Sequence, residues 1–139
     1  MLLPIAVVVF STVLYHVAQK SIPFEAPPLL SLLVSYGVAI AGTLALLPFF
    51  PVRAPLSRAF RQLNWASAAI GLTIVGVELG FLLAYRAGWR VSVGAAVSNA
   101  AVAALLVPVG LTFFGERLSG LNVFGLLLCV AGLVLAMAR

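Results

Sequence analysis

A chain of 139 residues is long enough for one domain. With 64% hydrophobic residues, 8% charged residues and a mean hydropathy of +1.24, it cannot hide its apolar surface from water, because so much of a small protein is surface. Its net charge of +5 lies between apolar runs, which points to anionic lipid headgroups and excludes nucleic acid as the partner. One cysteine, Cys129, and one histidine, His16, exclude an internal disulfide and a Cys- or His-rich metal site.

Five apolar runs are expected to cross the bilayer, at 2–19, 28–50, 65–86, 91–114 and 120–138. Each is close to the ~20 residues needed to span ~30 Å of hydrocarbon. The first run has no Lys or Arg ahead of its apolar core and no small-x-small site after it, so it reads as a span and not as a signal peptide. It carries a polar stripe of Thr12, His16, Gln19 and Lys20 on one helix face. An unperturbed histidine titrates near neutral pH, so His16 has two readings, a titrating group or an interfacial hydrogen bonder. Lys20 reads as a headgroup contact.

"KSIPFEAPP" (20–28), with three prolines, stops one helix and starts the next. In run two, Ser31 and Ser35 are expected to bond back to their own helix backbone, and Tyr36 adds a further polar group. The connection after it carries Arg53, Arg58 and Arg61, read as headgroup contacts, and room for a short interfacial helix. Run three lies between Trp65 and Trp89, 24 positions or roughly 36 Å apart at 1.5 Å per residue, which matches two interfacial aromatic belts.

Glu78 sits inside run three. A charged acid there costs several kcal/mol unless it is paired, hydrated or protonated. Tyr85, seven residues on, falls on nearly the same face, and Arg86 within a quadrant of it. Glu78 is therefore either a structural hydrogen bonder or ion pair, or a cavity group with a proton-coupling role, with Tyr85 and Arg86 as its expected companions. Gly76 and Gly80 form a GxxxG pair in the same run.

In run four Asn99, near the start of the span, needs an interhelical or cavity partner. Pro108 removes a backbone donor and makes a hinge. Glu116 reads as structural, near the start of the last helix where the dipole favours negative charge, and Ser119 as that helix's N-cap. Run five carries a small-residue stripe of Gly125, Cys129, Gly132 and Ala136, a seam that lets helices approach closely.

Five spans put the termini on opposite faces. Arg53, Arg58, Arg61 and Arg117 count for one face, and Lys20, Arg86, Arg90 and Arg139 for the other. The positive-inside rule needs a difference, and this count supplies none. Either the run boundaries lie elsewhere, or the three-arginine loop decides alone, or the chain inserts both ways and pairs antiparallel.

"AYRAGWRVSVGAAVSNAAVAALLVPVGLTFFGERLSGLNVFGLLLCVAGLVLAMAR" (84–139) resembles the end of an EamA-type unit of the drug/metabolite transporter superfamily. The matching features are Ala84, Pro108, "GERLS" at 115–119, Gly125 and Gly132, and the five-span layout fits one such unit over 139 residues. The resemblance implies an all-α integral membrane protein, half of an inverted-repeat transporter, completed by a homodimer of inverted protomers or by a partner chain. It implies export of a small organic solute across the cell inner (plasma) membrane, without a cofactor. A more distant similarity links the chain to the small multidrug resistance proteins, whose membrane glutamate lies in the first span. Glu78 is in the third, so its role rests on physical argument alone.

Hydrolase triads, phosphate-binding loops and metal motifs are missing from the sequence, which argues against an enzyme. The rival reading is a non-transporting helical subunit that stabilises a partner complex.

Overall fold

A computed structural model describes residues 2–51, 53–117 and 119–137. Among the described residues all regular structure is helical: α1 (Leu2–Ser21), α2 (Pro28–Leu46), α3 (Leu56–Gln62), α4 (Trp65–Arg86), α5 (Val91–Phe113) and α6 (Gly120–Met137). Helices satisfy every internal backbone donor and acceptor within one segment, which a lipid solvent demands. Four of them, α1, α2, α4 and α5, are long and apolar enough to cross a membrane.

The expectation of five spans is met only in part. Four spans are shown; α6 is an apolar helix of 18 residues whose described apolar stretch is Gly120–Gly132, the Leu133 side chain and those of 136–137 lying outside the described residues. Run two is shorter than expected. Its helix ends at Leu46: Leu47 keeps helical φ and ψ (−54° and −38°), but Pro48 has no N–H to give the Leu44 carbonyl, which accepts from Leu47 N–H at 3.2 Å instead, and the chain turns through 47–49. The short helix expected in the arginine-bearing connection is α3, with Phe60 and Arg61 exposed. Arg139 of the charge count and the Ala136 side chain of the run-five stripe lie outside the described residues.

The chain forms two compact bodies: Met1–Val17 with Ala87–Arg139, and Ala18–Arg86. In the first, α5 packs against α6. The turn between them rests on Gly115, whose φ of +61° is open to glycine at no steric cost. The Gly110 carbonyl accepts from the backbone N–H of both Phe114 (3.2 Å) and Glu116 (3.0 Å). Gly110 is buried, and a Cβ placed on it would lie 2.5 Å from Oε2 of Glu116. The Glu116 carboxylate, read from sequence as sitting at the start of the last helix, folds back over Gly110 of α5. Ser119 is the N-cap of α6, its Oγ accepting from Asn122 N–H at 3.2 Å. Pro108 lies inside α5 and leaves the Ala104 carbonyl without its i+4 donor.

In the second body α2 packs against α4. Prolines shape the start of α2: Pro27 takes an extended ψ of 126° and Pro28 occupies the first turn, where a missing N–H costs nothing. Asn64 caps α4, its Oδ1 accepting from Ala66 N–H at 3.0 Å. Ser31 and Ser35 bond back to the carbonyls of Pro27 and Ser31, as their placement in an apolar helix predicts.

The small-residue seams do not work inside the chain. A Cβ at Gly76, Gly80, Gly125 or Gly132 would meet nothing within 4 Å, and Cys129 is exposed. Gly110 is a glycine under close approach, and spacing alone did not single it out.

Candidate functional site

Leu82 is 1% exposed and Leu32 4%, and these two residues mark the faces along which α4 and α2 meet. One turn from each, at i−4 and i+4, lie Glu78 and Tyr36, so helical periodicity brings a carboxylate and a phenol to the same seam. Both side chains are half-buried there. Glu78 Oε2 and Tyr36 Oη are both buried and both lack a hydrogen-bond partner within the chain. A buried polar atom without a partner costs about 1–3 kcal/mol, and a structural role would supply that partner.

The companions expected for Glu78 are engaged elsewhere. Arg86 donates from Nη2 to the carbonyls of Pro23 (3.1 Å) and Ala26 (2.6 Å), clamping the 22–27 connection to the end of α4. Its guanidinium also lies over the Phe24 ring at 5.6 Å. Tyr85 is 4% exposed and stacks on Phe81 at 5.9 Å. The Tyr85 carbonyl accepts from Lys20 Nζ at 3.0 Å, and the same ammonium sits 5.8 Å from the Tyr85 ring centre. Lys20, read from sequence as a plain headgroup contact, therefore ties the end of α1 to the end of α4.

Of the six candidate polar residues, the structure gathers three. Gln19, Tyr85 and Arg86 line one cavity of about 250 Å³ together with Lys20. Glu78 lies about 12 Å along α4 from Arg86, eight residues at 1.5 Å each, and is not in that wall. His16 belongs to the other body, where it is 5% exposed and meets Tyr15 edge-on at 5.3 Å. Asn99 projects from an exposed face of α5.

Sequence reasoning passed over Tyr36 as a site residue. The signal for it was its place four residues after Leu32, a spacing that gains meaning only when Leu32 is known to face α4. The chain matches no protein-family profile, no curated protein and no solved structure.

Proposed function

We propose that this chain is a membrane transporter for a small organic solute, working in the cell inner membrane as a homodimer of inverted protomers. In this reading α6 completes a fifth span and the chain is one EamA-like unit, as the residues at 84–139 suggest. Each protomer supplies half of a central cavity, and alternating access moves the solute across. Glu78 couples the cycle to protons, with Tyr36 as its neighbour.

The observation that carries this reading is the carboxylate itself. Glu78 lies inside a helix long enough to span the membrane, with Oε2 buried and no hydrogen-bond partner. Ionisable groups in such places are functional by default, because a purely structural one would be satisfied or lost. Two further features fit. Gly125, Gly132 and Cys129 face open space, as a seam for a second chain requires. Asn99 is an exposed amide within a membrane-length helix, where lipid offers no partner. The rival, a scaffold subunit of a larger complex, accounts for the open seams but not for the carboxylate.

The test uses proteoliposomes carrying an internal pH dye, challenged with a panel of amines, amino acids and sugars. The parent should exchange protons for at least one solute. Glu78→Gln keeps the shape, removes the titration and should abolish that exchange while the protein still folds. Exchange by Glu78→Gln equal to the parent at every pH defeats the coupling role. A parent inert to the whole panel that co-purifies stoichiometrically with another membrane protein favours the scaffold.

A further inference from the structure

Arg86 Nη2 donates to the Ala26 carbonyl at 2.6 Å, which ties the end of α4 to the start of α2. Tyr36 lies eight residues after Pro28, and Glu78 eight residues before Arg86. Each therefore stands about 12 Å along its helix from that tie, at 1.5 Å per residue. Each is also one turn beyond a residue where the two helices meet, Leu32 on α2 and Leu82 on α4. Phenol and carboxylate are level on one seam. A structural pair so placed would bond to each other. Glu78 Oε2 and Tyr36 Oη do not: both are buried and both lack a hydrogen-bond partner. Two unmet oxygens on facing helices leave a place for a third group that supplies donors.

Close packing ends at this level. Further along α2, Ile40 is 62% exposed and Leu44 58%. A groove of about 280 Å³ opens there, beginning at Tyr36 and lined by Ala39, Ile40, Thr43 and Leu44. Its lining is apolar but for two hydroxyls, and that of Thr43 already donates to the Ala39 carbonyl at 2.8 Å. The groove falls below the roughly 300–1,000 Å³ of drug-sized sites.

These surroundings select among solutes. On α2 there is no charged residue, and Tyr36 is the one titratable group. On α4 the ionisable groups are Glu78, Tyr85 and Arg86, and Arg86 is held at the Pro23 and Ala26 carbonyls about 12 Å away. Ionised Glu78 repels an anion. A zwitterionic amino acid brings a carboxylate with no cation at the seam to receive it. A sugar brings more hydroxyls than the groove can satisfy. A quaternary ammonium carries the right charge but no N–H, so both oxygens stay unmet. A protonated primary amine brings a charge opposite to that of Glu78 and three donors on one nitrogen.

Resting on the transport reading, we propose that the seam takes a small primary monoamine with an apolar body and no carboxylate. Its ammonium donates to Glu78 Oε2 and Tyr36 Oη, and its body lies along the α2 groove past Ala39. Amine and proton compete for one carboxylate. The ammonium binds as the acid proton leaves for water, and reprotonation of Glu78 releases it. The seam is neutral in both forms, so neither leaves an unpaired charge in the membrane.

The experiment follows thermal unfolding of the purified protein in neutral detergent, with four ligands that share a phenyl ring: phenethylamine, its N,N,N-trimethyl derivative, phenylalanine and 3-phenylpropanoate. A ligand specific to the folded state raises the midpoint saturably. Phenethylamine is expected to do so, and the other three to bind at least about tenfold more weakly, the loss of one hydrogen bond to a charged group or more. Tyr36→Phe should weaken phenethylamine by about tenfold for the same reason. Glu78→Gln should abolish its effect. Ala39→Phe, which fills the groove with a ring, should also abolish it while the midpoint without ligand is kept. Equal responses to phenethylamine and its trimethyl derivative, or an undiminished response in Glu78→Gln, overturn the proposal. So does the lack of any saturable rise with phenethylamine; proton-coupled exchange of another solute in proteoliposomes would then keep the transport reading without this site. Saturable amine binding with no proton-coupled exchange of any solute keeps the site and removes the transport reading.

Discussion

Replacing Glu78 by leucine should make the protein more stable, which is the reverse of what removing a structural residue does. The carboxylate is half-buried, and its Oε2 has no hydrogen-bond partner. An unsatisfied buried polar atom costs about 1–3 kcal/mol. Leucine removes that cost and adds apolar contact at a seam whose neighbour, Leu82, is 1% exposed. Half-burial of the new side chain contributes up to about 1 kcal/mol more. The expected gain for Glu78→Leu is therefore about 1–4 kcal/mol. Glu78→Gln should gain less, since an amide in the same place is also unsatisfied. Proton-coupled exchange should be lost in both, the usual opposition of stability and activity at a strained site. The assay is reversible unfolding in mixed micelles followed by circular dichroism, run beside the dye-loaded proteoliposomes. Destabilisation of Glu78→Leu by more than about 0.5 kcal/mol would refute the reasoning, because it would mean that the carboxylate makes stabilising bonds.

Arg86→Ala removes two charge-assisted bonds to Pro23 and Ala26 and should cost about 2–4 kcal/mol, with Arg86→Lys intermediate because one ammonium reproduces the paired contact poorly; equal unfolding midpoints for all three would show that the clamp is not formed. Tyr36→Phe removes a buried unpartnered hydroxyl, so stability should hold or rise by up to about 1 kcal/mol while the pH at which exchange is half-maximal shifts; an unshifted pH profile would separate Tyr36 from Glu78. Gly110→Ala places a methyl 2.5 Å from Glu116 Oε2. In a Glu116→Ala background the same change should stabilise by up to about 1 kcal/mol, the helix preference of alanine over glycine, and a double-mutant cycle in unfolding free energy reads the difference. A Cβ at Gly132 meets nothing within 4 Å among the described residues, so with Gly132→Leu the monomer should keep its unfolding midpoint while any oligomer seen by native mass loses subunits.

What the sequence determined by itself is the solvent and the helices. A chain with 64% hydrophobic residues and only 11 formally charged side chains has no way to fold with its apolar surface in water, and prolines, caps and aromatic residues mark where each helix begins. Helix starts at Pro28, Trp65, Val91 and Gly120 agree with the predicted runs, because Pro27, Asn64 and Ser119 act locally. The end of α2 was misjudged, because hydropathy continues through Phe49 and Phe50 while Pro48 ends the helix. The isolation of Glu78 as an acid within a span was legible too, from one charged residue in a long apolar run.

Its companions were decided only by the tertiary structure. Sequence spacing offered Tyr85 and Arg86, both on α4 and within eight residues of Glu78. The packing of α2 on α4 brought Tyr36 to the same seam instead, 42 positions away in sequence. Arg86 turned to the carbonyls of a connection 60 to 63 residues earlier, a choice that depends on where Pro23 and Ala26 stand in space. Lys20 and Tyr85 are 65 residues apart and meet for the same reason. Periodicity fixes which face of a helix a residue occupies, but the identity of the opposing face depends on which helices pack together, and that is a property of the whole fold.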